Sequence, residues 1–159
     1  ILKNILILTL LFYVYSCSTN KTAEQYWKDA QNFRLEEKSM EAISNYKDLI
    51  KIFPNSDMAP NSQFQIADIY LNDIKDYEYS IDEFKKVISN YADHDVAKKS
   101  LFMIAYIYNN YLDAYTDAIN SYELFLNTYP NDELAPSVKY ELEGLEDVKK
   151  SINLLINNN

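Results

Sequence analysis

Few residues in this sequence are equipped for chemistry. The one histidine, His94, stands between Asp93 and Asp95, an imidazole flanked by two carboxylates of the kind that ligate a metal. A catalytic zinc takes three protein ligands, and no second imidazole is present to help supply them. The one cysteine, Cys17, excludes an internal disulfide and any cysteine-based zinc site. Glu141, Glu143, Glu146 and Asp147 bring carboxylates within helical reach of one another, as acid–base hydrolysis requires. Nothing in their pattern desolvates them, so a solvated helix face is the expected reading. There is no glycine-rich phosphate loop, no nucleophile elbow and no HExxH. No catalysis, cofactor, metal or small-molecule substrate is expected.

The surroundings of His94 explain it better than a metal does. Asn90-Tyr91-Ala92-Asp93-His94-Asp95-Val96-Ala97 falls 38 residues after Ile52-Phe53-Pro54-Asn55-Ser56-Asp57-Met58-Ala59 and 38 before Thr128-Tyr129-Pro130-Asn131-Asp132-Glu133-Leu134-Ala135. A fixed period in this range marks a chain of stacked supersecondary units. Within each unit apolar residues recur at helical spacing: Ala42, Ile43, Tyr46, Leu49, Ile50, Phe53; then Ser80, Ile81, Phe84, Val87, Ile88, Tyr91; then Ala118, Ile119, Tyr122, Phe125, Leu126, Tyr129. A preceding helix carries Tyr26, Ala30 and Phe33, or Ile66, Ala67 and Tyr70, or Leu101, Ile104, Ala105 and Tyr108. Thr22 is the expected N-cap of the first helix, which should reach about Lys38. The next runs from Ser39 to Phe53, where Pro54 stops it. The triplets at 55–57, 93–95 and 131–133 are then helix caps between units. Phe33 to Ala42 spans one residue fewer than Tyr70 to Ser80 or Tyr108 to Ala118, so the first turn should be shorter.

From Asp132 to about Ile156 a single amphipathic helix is expected, with Leu134, Val138, Leu142, Leu145, Val148, Ile152 and Leu155 on one face and acids on the other. A polar-backed terminal helix is what the end of a solenoid requires. Gly144 should weaken it, or bend it, and Asn157–Asn159 should fray.

Composition agrees with helix. Of 159 residues 48% are hydrophobic and 14% aromatic, enough for a core, while one Gly and four Pro leave too few turn residues for a sandwich or barrel. The net charge of −9 argues against nucleic acid as a partner and favours solubility.

The first residues read as an address. Lys3 precedes the apolar run Ile5 to Tyr15, too short to span a bilayer but the length of a signal-peptide core. Ser16-Cys17 closes it, and polar Ser18-Thr19-Asn20-Lys21 follows. The arrangement resembles the lipobox of bacterial lipoproteins, in which the cysteine is acylated and becomes the new N-terminus. Ser16 fits that pattern and Tyr15 is bulkier than usual. The resemblance implies a signal peptide at 1–16, lipidation of Cys17 and a linker at 17–21. It further implies attachment to the periplasmic face of the outer membrane, since Ser18 rather than Asp follows the cysteine. Ile rather than Met stands first, so a non-standard start or a truncated leader is expected.

The repeat residues carry a second resemblance. Ala30…Phe33…Ala42…Tyr46…Pro54, Ala67…Tyr70…Ser80…Phe84…Ala92 and Ala105…Tyr108…Ala118…Tyr122…Pro130 resemble the tetratricopeptide repeat (TPR), in which small residues let helices approach and aromatics fill the gaps. With the Tyr-Pro-Asn-Asp junction, the 38-residue form is similar to outer-membrane assembly lipoproteins (BamD-like) and to the Tol-Pal-associated repeat protein. Three repeats stand here where the assembly lipoproteins carry about five. The expected fold is therefore all-α: a right-handed TPR-like helical-hairpin solenoid with repeats at 22–60, 61–98 and 99–136 and a capping helix and tail at 137–159. The expected function is that of a non-catalytic scaffold of the bacterial cell envelope. It would bind a protein or extended peptide, with outer-membrane protein assembly as the process. A Tol-Pal-type or self-associating adaptor or chaperone is the alternative. In such solenoids the first helix of each hairpin lines the concave face, which makes Gln63, Gln65, Tyr106, Asn109 and Asn110 candidate partner contacts.

Overall fold

A computed structural model describes residues 21–157, with the backbone alone for residues 149 and 151–157. The expectations for the leader at 1–16, for Cys17 and for the terminal asparagines 158–159 lie outside the described residues. So do those for the side chains of Ile152 and Leu155. Seven α-helices follow one another: α1 Ala23–Leu35, α2 Ser39–Ile52, α3 Met58–Ile69, α4 Tyr77–Asn90, α5 Asp95–Asn110, α6 Tyr115–Thr128 and α7 Ala135–Asn157. Each helix packs on the next. In addition α1 touches α3 and α3 touches α5, so the first helices of the hairpins lie side by side. That is the expected TPR-like solenoid.

Local chemistry sets the boundaries. Thr22 caps α1 as expected, through a capping box: its hydroxyl accepts from Gln25 N–H at 3.3 Å, and Gln25 Oε1 accepts from Thr22 N–H at 2.8 Å. Such a cap stabilises a helix by about 1 kcal/mol. Helix α1 stops at Leu35, three residues short of Lys38. Glu37 adopts a left-handed conformation (φ 60°) and Lys38 N–H closes back on Phe33 O at 2.8 Å. The same left-handed residue recurs 38 and 76 positions later, as Lys75 (φ 63°) and Asp113 (φ 50°). Each is strained for a side chain with a Cβ and is held by the closure around it. In the second and third hairpins that closure is one residue wider, Asp76 N–H to Tyr70 O and Ala114 N–H to Tyr108 O, both 2.9 Å. The short first turn is thus present. In the second hairpin the extra residue is taken up by a π-helical turn over Tyr70–Ile74.

The junctions between units are near copies. Phe53, Tyr91 and Tyr129 end the second helices with φ of −125°, −137° and −128° and ψ of 58°, 43° and 57°. Pro54 and Pro130 disfavour the α conformation for the residue before them; Ala92 does not, yet Tyr91 takes the same non-helical conformation as Phe53 and Tyr129. The common cause is the cap. Ser56 Oγ, His94 Nδ1 and Asp132 Oδ1, 38 residues apart, accept from the N–H two residues on, at Met58 (3.2 Å), Val96 (3.3 Å) and Leu134 (3.0 Å).

The core is one column built in like segments. Ala42, Ile43, Tyr46, Ile66 and Ile69 pack in the first; Ile81, Phe84, Ile104 and Ile107 in the second; Ala118, Ile119, Tyr122 and Leu145 in the third. Buried Ser80 takes the place of Ala42 and Ala118, and its hydroxyl donates to Ala67 O at 2.9 Å. Helix α7 begins as another first helix: Ala135 repeats Ala59 and Ala97, all buried. It departs at Glu143, which stands where Ala67 and Ala105 admit a second helix, and Glu146 replaces the aromatic at Tyr70 and Tyr108. The solenoid is closed there, as a capping helix should close it. Helix α7 runs unbroken through Gly144, where an added Cβ would meet nothing within 4 Å.

Candidate docking clefts

Helices α1, α3 and α5 pack directly on one another in turn, the second helices do not pack comparably, and α7 meets α5 through Asn109 and Glu141, which sets α1, α3, α5 and α7 on one side of the stack, its inner side. Two clefts open there. One, of about 880 Å³, lies between the first hairpin and α3 and is lined by Gln31, Arg34, Leu35, Ser39, Tyr46, Gln65 and Asp73 among others. The other, of about 530 Å³, lies between the third hairpin and α7 and is lined by Asn109, Tyr115, Tyr140, Glu141, Glu143, Leu145, Asp147 and Val148.

The repeat register explains why these two places are open. At the seam between units, Arg34 faces Gln65; its counterparts are Leu71 facing Met103, then Asn109 facing Glu141. Beside the seam the first unit has Ser39 near Asp73, whereas the second has Tyr77 stacked on Tyr111 at 4.7 Å and 23°. Leucine, methionine and two stacked rings fill the middle seam; shorter polar groups leave the outer ones open. The buried aromatic below follows suit, as Tyr46, Phe84 and Tyr122. A hydroxyl is present where the seam is polar and absent where it is apolar.

In the first cleft Arg34 is fully engaged. Its Nε and Nη2 reach both oxygens of Asp73 (2.8 and 3.1 Å), Nη2 also meets Asp68 at 2.6 Å, and Nη1 donates to Gln65 at 2.9 Å. Asp68 is held from its other side by Asn72 at 2.8 Å. This fork-to-fork arrangement binds α1 to α3 more firmly than a surface pair would. Burial, partly offset by Arg34, pushes the Tyr46 phenol up to about 12. The Trp27 ring stands edge-on to Tyr46 at 5.2 Å.

In the third cleft the link is weak: Asn109 Nδ2 lies 3.5 Å from Glu141 Oε2. Behind it Tyr122 is fully buried and its hydroxyl has no hydrogen-bond partner among the described residues. Burial, and next the Glu141 carboxylate, push its phenol well up.

The candidate contacts read from the sequence separate in this frame. Gln65 lines the first cleft, held by Arg34, and Asn109 lines the third. Tyr106 lies on α5 close by, with Phe102 stacked at 6.3 Å and Tyr111 edge-on at 6.0 Å. Asn110 is exposed and donates back to Tyr106 O at 3.0 Å. Gln63 does not face the groove and has to be corrected. It is only 6% exposed, and its amide donates to the buried Glu83 carboxylate of α4 at 2.6 Å, which Lys86 also pairs at 2.7 Å. Its counterpart in the next unit is buried Leu101, a signal already present in the sequence. Arg34, Tyr115, Tyr140 and Glu141 were not singled out as contacts, because single residues become a cleft only when neighbouring units meet.

Among the described residues, no group of three His, Cys, Asp or Glu is placed to hold a metal, and no helix is long and apolar enough to cross a membrane. The ring nitrogen Nδ1 of His94 is occupied by its cap.

No curated protein matches this sequence. Among solved structures, the TPR2AB domain of yeast Sti1, in a complex with pHSP90, aligns with a TM-score of 0.64 at 17% identity. The alignment covers 82% of this chain and 48% of that one, so this chain spans about half the length of its solved neighbour. At that identity the likeness shows the fold. The model of the family described as "Soluble NSF attachment protein, SNAP" matches residues 12–142, which take in all three hairpins, and the chain therefore belongs to the SNAP family.

Proposed function

We propose that this protein is a non-catalytic docking scaffold, holding an extended segment of a partner protein along α1, α3, α5 and α7, and tethered to a membrane by a lipid on Cys17. The observation that carries the docking half is the pair of open clefts on one side of the stack, at seams lined by polar residues where the middle seam is apolar. A family described as an attachment protein and a solved neighbour in complex with pHSP90 support it. The anchor half rests on the lipobox-like Ser16-Cys17 after an apolar run of signal-peptide length. Acyl chains at one cysteine hold a protein stably where a single chain holds only marginally. Within that reading the location is the periplasmic face of the bacterial outer membrane, and outer-membrane protein assembly is the process the repeat resemblance suggests.

Two measurements test the halves separately. Photo-crosslinkers placed at Gln65 and Tyr106, on the inner side, should capture the partner in cells, whereas crosslinkers at exposed Ile52 and Leu124 should not. Equal capture from both sides removes the docking reading. Cys17→Ala should release the protein from membranes and abolish acyl labelling; membrane retention with label intact removes the anchor.

A further inference from the structure

The first cleft is bounded by groups already satisfied and by two that are not. Arg34 is spent on Asp73, Asp68 and Gln65, and each oxygen of the two carboxylates is met by Arg34 or by Asn72. Tyr46 lines the same cleft although it is only 1% exposed, and its hydroxyl makes no hydrogen bond among the described residues. Arg34 and Asp68 reach that phenol through their charge, which places its polar end under the cleft. Gln65 Oε1 is taken by Arg34, which fixes the orientation of the amide and leaves its Nε2 hydrogens without an acceptor among the described residues. Both open groups have a hydrogen to give, so what enters must accept. Charge decides the kind of acceptor. One guanidinium against Asp68 and Asp73 leaves the cleft negative, and Glu37 on its lining adds to this, so a carboxylate or phosphate is repelled. On the rim stands Leu35, 84% exposed, an apolar side chain with no core to serve.

We infer that the cleft between the first hairpin and α3 receives a neutral amide carbonyl of the partner segment, which accepts from the Tyr46 hydroxyl and the Gln65 amide while an apolar side chain beside it covers Leu35. A main-chain carbonyl and the carbonyl of an asparagine or glutamine side chain share this chemistry. A buried hydroxyl left unpaired is costly, and a carbonyl that reaches it recovers that cost on binding. The middle seam has no such site: the counterparts of Tyr46 and Gln65 there are Phe84 and Met103, neither of which can donate. The assignment rests on the docking reading above and names the group taken at one end of that face.

The test uses the full chain, follows its tyrosine and glutamine side chains by NMR, and adds capped tripeptides. N-acetyl-Ala-Leu-Ala-amide has no side-chain carbonyl, and N-acetyl-Ala-Asn-Ala-amide adds a carboxamide. Saturable shifts are expected at the Tyr46 ring and the Gln65 amide. A response to the leucine peptide assigns the main chain as the source, and a response to the asparagine peptide alone assigns the side chain. The leucine peptide ending in a free carboxylate should bind more weakly than its amide. Tyr46→Phe should weaken binding about fivefold, the net worth of one hydrogen bond, and leave the melting temperature unchanged or raised, since the hydroxyl has no partner to lose. Gln65→Met should weaken binding similarly, and Tyr122→Phe should not change it. No shift at Tyr46 or Gln65 with either amide, tighter binding of the carboxylate, or equal losses in Tyr46→Phe and Tyr122→Phe would overturn the inference. If both amides fail while a crosslinker at Tyr106 still captures the partner, this site is removed and the docking reading stands.

Discussion

Arg34 against Gln65, Leu71 against Met103 and Asn109 against Glu141 occupy one position of the repeat in three successive seams. The middle seam is apolar, with the Tyr77–Tyr111 stack beside it. The outer seams are polar and open, yet they are not alike, since Arg34 stands at this position in one and Asn109 in the other. A repeat fixes where neighbouring helices approach, and the residues at that approach remain free to vary. Stability can be concentrated in the filled seam while the open ones keep groups available for a partner. In a solenoid each unit meets only its neighbours, so this division of labour does not disturb the rest of the stack.

The largest effect should come from making the middle seam resemble the first. Leu71→Arg puts an unpaired charge among Ile81, Phe84 and Ile107, without counterparts of Asp68 and Asp73 to receive it. A loss of more than about 4 kcal/mol is expected in urea unfolding. A loss below about 1 kcal/mol would mean that the seam is looser than its packing. The reverse change, Arg34→Leu, leaves Asp68 and Asp73 facing each other without their cation. It should cost roughly 2–3 kcal/mol and raise amide exchange first at the contact of α1 with α3.

The hydroxyls should give smaller changes of opposite sign. Tyr122→Phe removes a buried group with no partner and is expected to raise stability by about 0.5–1 kcal/mol. Phe84→Tyr adds such a group to the filled seam and should cost about 1–2 kcal/mol. Equal effects at the two positions would erase the distinction between polar and apolar seams.

The smallest effect concerns the junctions. The Leu134 N–H, and then Lys98 at 2.9 Å, hold the Asp132 carboxyl below its usual range. A folded-state value below the unfolded one stabilises above the unfolded pKa of about 3.9, and the gain is lost as pH falls through the folded value. Protection of the Leu134 amide, corrected for intrinsic exchange, should therefore fall below about pH 4. That of Met58, capped by the non-titrating Ser56, should not. Parallel loss at both amides would show that the junctions melt together.

Much of this was legible before any coordinates. Ser56, His94 and Asp132 were readable as caps because each sits at the same offset from an aromatic helix end, and hydrogen bonds between near neighbours in the chain follow local sequence. The closing role of α7 was readable from its acids, and the shorter first turn from the offset between Phe33 and Tyr70. The clefts were not. Gln63 and Gln65 are two residues apart on one helix, yet one is buried against Glu83 and the other lines a cleft. Only the comparison with Leu101 and Met103 hints at the difference.

The sequence by itself determined the period, the all-helical class, the caps and the end of the stack, because these depend on residues close together in the chain and on a pattern stated three times. Tertiary structure alone decided which seams are filled, that Arg34 spends its charge on Asp68 and Asp73, and that the Tyr122 hydroxyl is buried without a partner among the described residues. Those outcomes depend on side chains some 30 residues apart, on the volume each leaves at the contact, and on whether water or a neighbour satisfies its polar atoms.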